Sequence, residues 1–375
     1  MRVLLDCTAV PIDRGGVGRY VDELIPELDR LEVDLVLAVQ PRDLRHYRAL
    51  APGARVIAAP AWVSRRPARM VWEQTGLPLL AAHVRADVVH SPHYTLPILI
   101  ARRVVDTLHD ATFFSDPELH LRSKRGFFQT WIRLATRLAA GLVVPSSATR
   151  GEVARATGCA EQRMTVAYHG VDHARFHPVD PGERRRVRDT LDIGDLEYVG
   201  FLGTLEPRKN VPALIRAWIQ ACDGLAQPPA LVLAGAKGWD DQVEAALSEV
   251  PAHLTVRVPG YLPLADLPGF LAGATVLAYP SLGEGFGLPV LEAMACGATV
   301  LTTRELSLPE VGGDAVAYCG TTTGDIATAL RALIDDPDRR SQLGAAAVER
   351  AASFTWARAA HTHLDVYRRV ATGRQ

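Results

Sequence analysis

A chain of 375 residues exceeds the span of one hydrophobic core, so two domains are expected. With 48% hydrophobic and 22% charged residues and a net charge of −1, it reads as an ordinary globular protein with no global pull toward nucleic acid or acidic lipid. The five cysteines are scattered without a C-x-x-C pair, which excludes a disulfide framework and a zinc ribbon. No run is long and apolar enough to span a bilayer, and Met1-Arg2-Val3-Leu4-Leu5-Asp6 reaches a charge too early for a secretory signal. A cytoplasmic protein is expected.

Residues 2–5 form a short strand, and Arg14-Gly15-Gly16-Val17-Gly18-Arg19-Tyr20 follows as a glycine loop opening a helix over 17–28. Gly16-x-Gly18 lacks the third glycine of a dinucleotide fingerprint, Val21 standing in its place. Gly15 and Gly16 therefore read as backbone that a phosphate or sugar can approach. Strand-like runs at 34–39, 55–58, 87–90 and 103–108 then alternate with helical ones, among them 69–83. Such alternation predicts a parallel sheet with helices on both faces, binding its ligand outside the carboxyl ends of the strands. His109-Asp110 falls at such an end. His109 is a candidate polar group at a reaction centre, and Asp110 a candidate to orient its ring. A helix over 124–140, a strand over 142–144, a helix over 149–157 capped by Ser146 or Ser147 and a strand over 164–167 complete the first half. His169, His173 and His177 recur every four residues, but Gly170 and Pro178 break any helix there, so no zinc site is expected. Residues 171–184, with Pro178, Pro181 and Gly182, read as an interdomain linker.

The second half repeats the pattern. A strand over 198–202 runs into the loop Gly203-Thr204-Leu205-Glu206-Pro207-Arg208-Lys209-Asn210 and a helix over 211–222. Arg208 and Lys209 thus stand beside a helix N-terminus, where the arginine fork and the compact lysine charge can hold a diphosphate. Strands over 230–233, 254–258 and 275–279 follow. Tyr261, after Gly260, is a candidate to cover a nucleobase, with plain packing as the alternative. The stretch from Pro280 to Gly297 reads as a glycine-rich loop and a short helix, with Pro289 in its first turn and Gly297 just past its end. Its opening N–H groups and glycines suit a phosphate. Glu284 and Glu292 flank that anion site, and because a carboxylate beside a phosphate is unfavourable, each is expected to face hydroxyls. The ligand implied carries both phosphate and sugar. Helices over 325–335, 339–352 and 355–371 close the chain, and Asp336-Pro337-Asp338 reads as capping between helices rather than a metal-binding carboxylate pair.

Glu284 and Glu292, with seven residues between them, resemble the E-x7-E signature of retaining nucleotide-sugar glycosyltransferases of family 4. That family has the GT-B fold, two Rossmann-like doubly wound α/β domains facing across a cleft. Gly15-Gly16, His109-Asp110, His169-Gly170-Val171-Asp172, the loop 203–210 and Pro309-Glu310 are similar to the family's other landmarks in the same order. The resemblance implies an acceptor-binding domain over 1–176, a nucleotide-sugar domain over 177–354 and a C-terminal helix over 355–375 returning to the first domain. It implies that Glu292 binds the donor ribose and that Glu284 contacts the donor hexose, with Gly285, Phe286, Gly287, Leu288, Gly203, Thr204 and Tyr261 completing the donor site. Lys209 and Arg208 would neutralise the diphosphate, Gly16 would offer backbone N–H to phosphate, and His109 would contact the sugar near its anomeric centre. Thr204 follows Gly203 where many members carry an arginine, which moves the implied clamp to Arg208. The loop and the His-Asp pair look most like bacterial mannosyltransferases. GDP-mannose as co-substrate, no metal or other cofactor, and a sugar or lipid-linked sugar acceptor for an envelope glycan or glycolipid are implied.

The chemistry also follows from the residues. Breaking a sugar–phosphate bond builds negative charge on the diphosphate, which fixed donors and cations stabilise without a metal. A glycoside hydrolase would use two carboxylates but would not need Arg208 and Lys209. A UDP-sugar donor and a non-catalytic nucleotide-sugar binder remain open alternatives. The stretch 62–69, with Trp62 among arginines, suits either peripheral contact with the inner face of a membrane or an ordinary solvated loop. No nucleic-acid partner is expected.

Overall fold

The computed structural model describes residues 1–12, 14–115 and 122–373; the side chains of Arg66, Ser115, Arg122, Ser123 and Lys124 lie outside that description. The chain divides into two compact units, one formed by Met1–Gly170 with Thr355–Gln375 and the other by Val171–Phe354. The border falls before Val171 rather than after residue 176, for a local reason. Val171 N–H and His173 Nε2 both donate to Phe354 O, each at 3.2 Å, and Phe176 is buried with its N–H on Asp172 O at 2.7 Å. The stretch read as a linker ends inside a helix, Pro181–Thr190, capped by Asp180.

In the first unit, strands β1 (Arg2–Asp6), β2 (Asp34–Val39), β3 (Arg55–Ala58), β4 (Val88–Ser91), β5 (Val104–Thr107), β6 (Gly141–Val144) and β7 (Met164–Val166) form a parallel sheet in the order β3-β2-β1-β4-β5-β6-β7. Val3, Leu4 and Leu5 have no exposed surface, as expected of a strand covered on both faces. Helix Gly16–Asp29 buries Tyr20, Val21, Leu24, Ile25 and Leu28, the spacing of one helical stripe. The final helix, Trp356–Ala371, packs on that helix and on the sheet. The single helix expected over 69–83 is two, Arg66–Gln74 and Gly76–Val84, because Pro78 has no N–H to give to Gln74 and the chain breaks at Thr75.

In the second unit, β8 (Tyr198–Leu202), β9 (Ala230–Ala234), β10 (Val256–Gly260), β11 (Val276–Tyr279), β12 (Val300–Thr303) and β13 (Ala317–Cys319) are again parallel, in the order β10-β9-β8-β11-β12-β13. β10 begins later than the apolar run suggested and includes Pro259, which an edge strand tolerates. β13 is too short to show a period in the sequence. In each sheet the strand order reverses once, between β1 and β4 and between β8 and β11. A crevice opens outside the carboxyl ends at such a reversal, and ligands of open α/β sheets bind there. Among the described residues no helix is long and apolar enough to cross a membrane.

Candidate active site

The reversal in the second unit places two loops side by side, the one after β8 and the one after β11. The first is tied down by backbone bonds to the strand beside it: Gly203 N–H donates to Ala234 O at 2.9 Å and Leu205 N–H to Ala236 O at 3.0 Å. A side chain at Gly235 would put its Cβ 2.0 Å from Gly203 O, so only glycine permits this approach. Thr204, half-buried, gives its carbonyl to Glu206 N–H at 2.9 Å. One tight turn, Pro207–Lys209, then delivers Arg208 and Lys209 to the second loop. Leu282 N–H donates to Arg208 O at 2.8 Å, joining the two.

Glu284 is where they meet. Its Oε1 accepts from Lys209 Nζ at 2.5 Å, from Ser281 Oγ at 2.7 Å and from Tyr279 Oη at 3.0 Å, and its Oε2 lies 2.6 Å from Arg208 Nη1. Lys209 Nζ also donates to Tyr279 Oη. Arg208 reaches Gly283 O through Nη1 and Glu206 Oε1 through Nη2, both at 2.6 Å. Lys209 and Glu284 are each 7% exposed, so the charges are removed from water and must satisfy one another. Burial alone would raise the Glu284 carboxyl, but Arg208 and Lys209 outweigh it and hold the group at about 2. Burial and the neighbouring Arg208 pull the Lys209 ammonium down, and Glu284 and Glu206 oppose them. Within the protein, Glu284 faces two hydroxyls and two cations, because a carboxylate this deep needs counter-charge. Tyr279 and Ser281 escaped the sequence reading. Their signal was position, at the carboxyl end of β11, rather than chemistry.

Gly287 has φ +96° and caps helix Leu288–Ala295, a backbone conformation that fits glycine; Pro289 lies in the first turn, and Gly297, past the end, has φ +73°. Glu292 is buried on this helix, 3% exposed. Leu288 is half-buried and Gly285 buried, while Phe286 turns inward, its ring edge on Phe354 at 6.0 Å. Ser307 Oγ donates to Glu284 O at 2.7 Å, so the loop ahead of Pro309-Glu310 braces the site. Tyr261, at the end of β10, is 70% exposed.

The first unit carries its own polar edge. Gly15 and Gly16 are exposed at the start of helix Gly16–Asp29, and a Cβ at Gly16 would meet no atom within 4 Å, so nothing inside the fold demands glycine there. His109, half-buried, follows β5. Asp110 does not hold its ring: Asp110 Oδ1 accepts from Thr112 N–H at 3.3 Å and Thr112 Oγ1 at 3.0 Å, anchoring the next short helix. Instead His109 Nε2 donates to Pro92 O at 2.6 Å, which leaves Nδ1 as the lone-pair nitrogen of a neutral ring. Burial lowers its pKa, against the opposing pull of the Pro92 carbonyl and Asp110. Tyr20 packs edge-on against it at 4.9 Å. Residue 69, counted with the basic surface stretch, is also corrected: Arg69 turns inward to Glu73 at 2.8 Å and Thr95 at 3.3 Å. Arg66 in the same stretch has its side chain outside the described residues. Of the spaced histidines, His169 stacks on Trp356, His173 binds Phe354 O and His177 Nδ1 donates to Pro178 O. Among the described residues no group of His, Cys, Asp or Glu could hold a metal ion.

The profile described as Glycosyltransferase Family 4 matches residues 14–175, and that of Glycosyl transferases group 1 matches 183–350. The chain belongs to glycosyltransferase family 4. It is 28% identical to the O-antigen chain mannosyltransferase B of Escherichia coli over 98% of this chain and 100% of that one. It is 29% identical to the alpha-maltose-1-phosphate synthase of Mycolicibacterium smegmatis over 95% and 96% of the two chains. Among solved structures, sucrose-phosphate synthase from Thermosynechococcus elongatus superposes with a TM-score of 0.78 at 19% identity, covering 100% of both chains. Anabaena HepE in complex with UDP and glucose superposes at 0.75 with 19% identity, covering 97% of this chain and 98% of that one. At these identities the structures establish the fold, GT-B, and the family 4 glycosyltransferase described here shares it.

Proposed function

We propose that this glycosyltransferase transfers a hexose from a nucleoside diphosphate sugar with retention of anomeric configuration, the donor most in keeping with its relatives being GDP-mannose. The observation that carries the proposal is the buried Lys209–Arg208–Glu284 cluster at the carboxyl edge of the second sheet. Two fixed cations there are held ready by carboxylates, and a diphosphate leaving group is the substrate charge that such cations meet best. In this reading Lys209 and Arg208 take up the charge that grows on the diphosphate, and no metal is needed. Glu292 holds the ribose hydroxyls and Glu284 a hydroxyl of the hexose, with Gly203, Thr204, Gly285, Phe286, Gly287 and Leu288 shaping the donor loops and Tyr261 covering the base. In the first unit, Gly15 and Gly16 offer backbone N–H to phosphate, and neutral His109 presents Nδ1 to a sugar hydroxyl. The leaving phosphate oxygen takes the acceptor proton on the face from which it departs.

Mannose is favoured by the E. coli O-antigen chain mannosyltransferase B and by the serotype-specific mannosyltransferase WbdA, 28% identical over 79% of this chain. A UDP-sugar donor is favoured instead by the HepE complexes with UDP and UDP-glucose. The acceptor is a glycan or lipid-linked sugar hydroxyl, reached by peripheral contact with the inner face of the membrane through the surface around Trp62. Incubation with GDP-mannose and with UDP-glucose, reading nucleoside diphosphate release and the anomeric proton of the product, tests the reading. GDP release with an α-linked mannoside is expected. Donor binding without turnover on any acceptor would make the protein a nucleotide-sugar binder.

A further inference from the structure

A second polar pocket lies at the opposite end of the same sheet from the Glu284 cluster. Helix Pro181–Thr190 and the turn through Gly194 and Asp195, just before the amino end of β8, border an open surface groove of about 220 Å³ lined by Arg184, Arg185, Arg188, Asp189, Gly194 and Asp195. At about 30 Å³ per water, that space holds roughly seven waters, enough for a small phosphorylated molecule.

Its arginines are uncommitted. Arg186, on the same helix, is paired twice, with Glu183 at 2.7 Å and Asp266 at 2.6 Å. Among the described residues Arg184, Arg185 and Arg188 make no ion pair, and the Arg188 Nε is buried without a hydrogen-bond partner. Arg184 and Arg188 are four residues apart and so share one face of the helix. Both also act electrostatically on the buried Tyr198 hydroxyl, which is already spent on Phe270 O at 2.5 Å. A buried guanidinium N–H with no acceptor is costly, and an anion is the group that relieves it. The two carboxylates that line the groove would repel a bare anion but accept hydrogen bonds from hydroxyls. Gly194, with φ +59° and nothing within 4 Å of a Cβ, leaves backbone open to a ligand.

We propose that this pocket binds a phosphate ester of a polyol, the phosphate on Arg184, Arg185 and Arg188 and the hydroxyls on Asp189 and Asp195. A free sugar phosphate and a phosphatidylglycerol headgroup share that chemistry. The site is independent of the transfer reaction and of its donor.

Calorimetric titration of the full chain with a hexose 6-phosphate and with inorganic phosphate, plus sedimentation with phosphatidylglycerol vesicles, tests the assignment. The variant Arg184→Gln/Arg185→Gln/Arg188→Gln is expected to weaken hexose 6-phosphate or vesicle binding about tenfold or more, with nucleoside diphosphate binding unchanged as the control on folding. The arm that responds identifies the source. Asp195→Ala separates the classes: it is expected to weaken hexose 6-phosphate while strengthening inorganic phosphate. Equal binding by wild type and the triple variant in both arms would overturn the site. Asp195→Ala strengthening both soluble probes alike would overturn the polyol assignment.

Discussion

The hydroxyl of Tyr20 lies 2.7 Å from Nε2 of His363, joining the first helix of the chain to the last. The bond belongs to a line with one consistent set of protons. His363 Nδ1 donates to Ala359 O at 2.7 Å, so Nε2 must accept from Tyr20; Tyr20 then accepts from Thr107, at 3.0 Å. Thr107 in turn accepts from His90 Nε2 at 2.9 Å, and His90 Nδ1 accepts from Tyr367 Oη at 2.8 Å. Both histidines in the line must be neutral, and both are fully buried.

Acid should therefore unravel this unit from its histidines. Burial lowers the His363 pKa from 6.5 to about 4, and His90, His93, His169 and His109 are pushed the same way by burial first. The unfolded chain binds these protons first, so the contribution is full above about pH 6.5 and is lost as pH falls toward 4. For His363 alone it amounts to about 3 kcal/mol, of which about 2 is gone by pH 5. Asp6, Glu73 and Asp106 in the same unit have raised pKa values, chiefly through burial, and act with the opposite sign. A difference measurement isolates the line: His363→Gln keeps an acceptor for Tyr20 without titrating. Denaturant melts at pH 7.5 and pH 5 are expected to show wild type losing about 2 kcal/mol more than the variant. Equal losses would place the acid sensitivity elsewhere.

Lys209→Ala tests the clamp in two ways at once. It removes one charge stabiliser of the leaving group, with an expected fall in kcat of about 10²-fold. It also leaves Glu284 buried with one cation fewer, an expected loss of about 3 kcal/mol of stability. Lys209→Ala with Glu284→Gln relieves the second effect but not the first. Regained stability with kcat still low is the expected result, read by denaturant melts and steady-state rates on the same preparations. Recovery of kcat in the double variant would mean that the lysine matters only for holding the loop.

Much of this was legible in the sequence, and the gaps have physical causes. The alternation of apolar runs announced two parallel sheets, and Pro289 in the first turn and Gly297 past the end of the short helix were placed correctly. The two halves of the helix around Thr75 were not separated, because their apolar period continues across the break that Pro78 forces. Asp110 was misassigned as the partner of His109 because adjacency in sequence said nothing of where each side chain turns; the true partner is the carbonyl of Pro92, which carries no side-chain signature. Tyr279, Tyr20 and His363 went unread for the same kind of reason. An aromatic in a strand or helix looks like core, and its hydroxyl shows a role only when its neighbours are known.

Glu292→Ala is expected to raise the donor KM with little change in kcat, the pattern of lost ground-state binding, if the carboxylate holds the ribose. Because Glu292 is only 3% exposed, the alanine variant also opens a small cavity, so Glu292→Gln is the cleaner partner. The glutamine is expected to raise KM less than the alanine, retaining one acceptor oxygen. A KM unchanged in both variants, with the fold intact by thermal melting, would move the ribose contact elsewhere.

The surface around Trp62 can be tested by sedimentation with anionic vesicles. Trp62 is 50% exposed, Arg65 is exposed, and Arg69 is withdrawn to Glu73, so the basic contribution is smaller than the sequence suggested. Val71 and Leu79 are also exposed, at 57% and 72%, and the hydrogen bonds of Thr75 place them on one line: Thr75 Oγ1 donates to Val71 O at 2.7 Å, and Leu79 N–H to Thr75 O at 3.4 Å. Exposed apolar residues with Trp62 and Arg65 in the same stretch of chain suit the interface of an anionic membrane, where each arginine is worth about 1 kcal/mol. Arg65→Gln is therefore expected to lower vesicle partitioning about fivefold at low salt and to matter less as salt rises, whereas Trp62→Ala lowers it at every salt concentration. Partitioning that is absent in wild type, or indifferent to both substitutions, would return this face to the solvent.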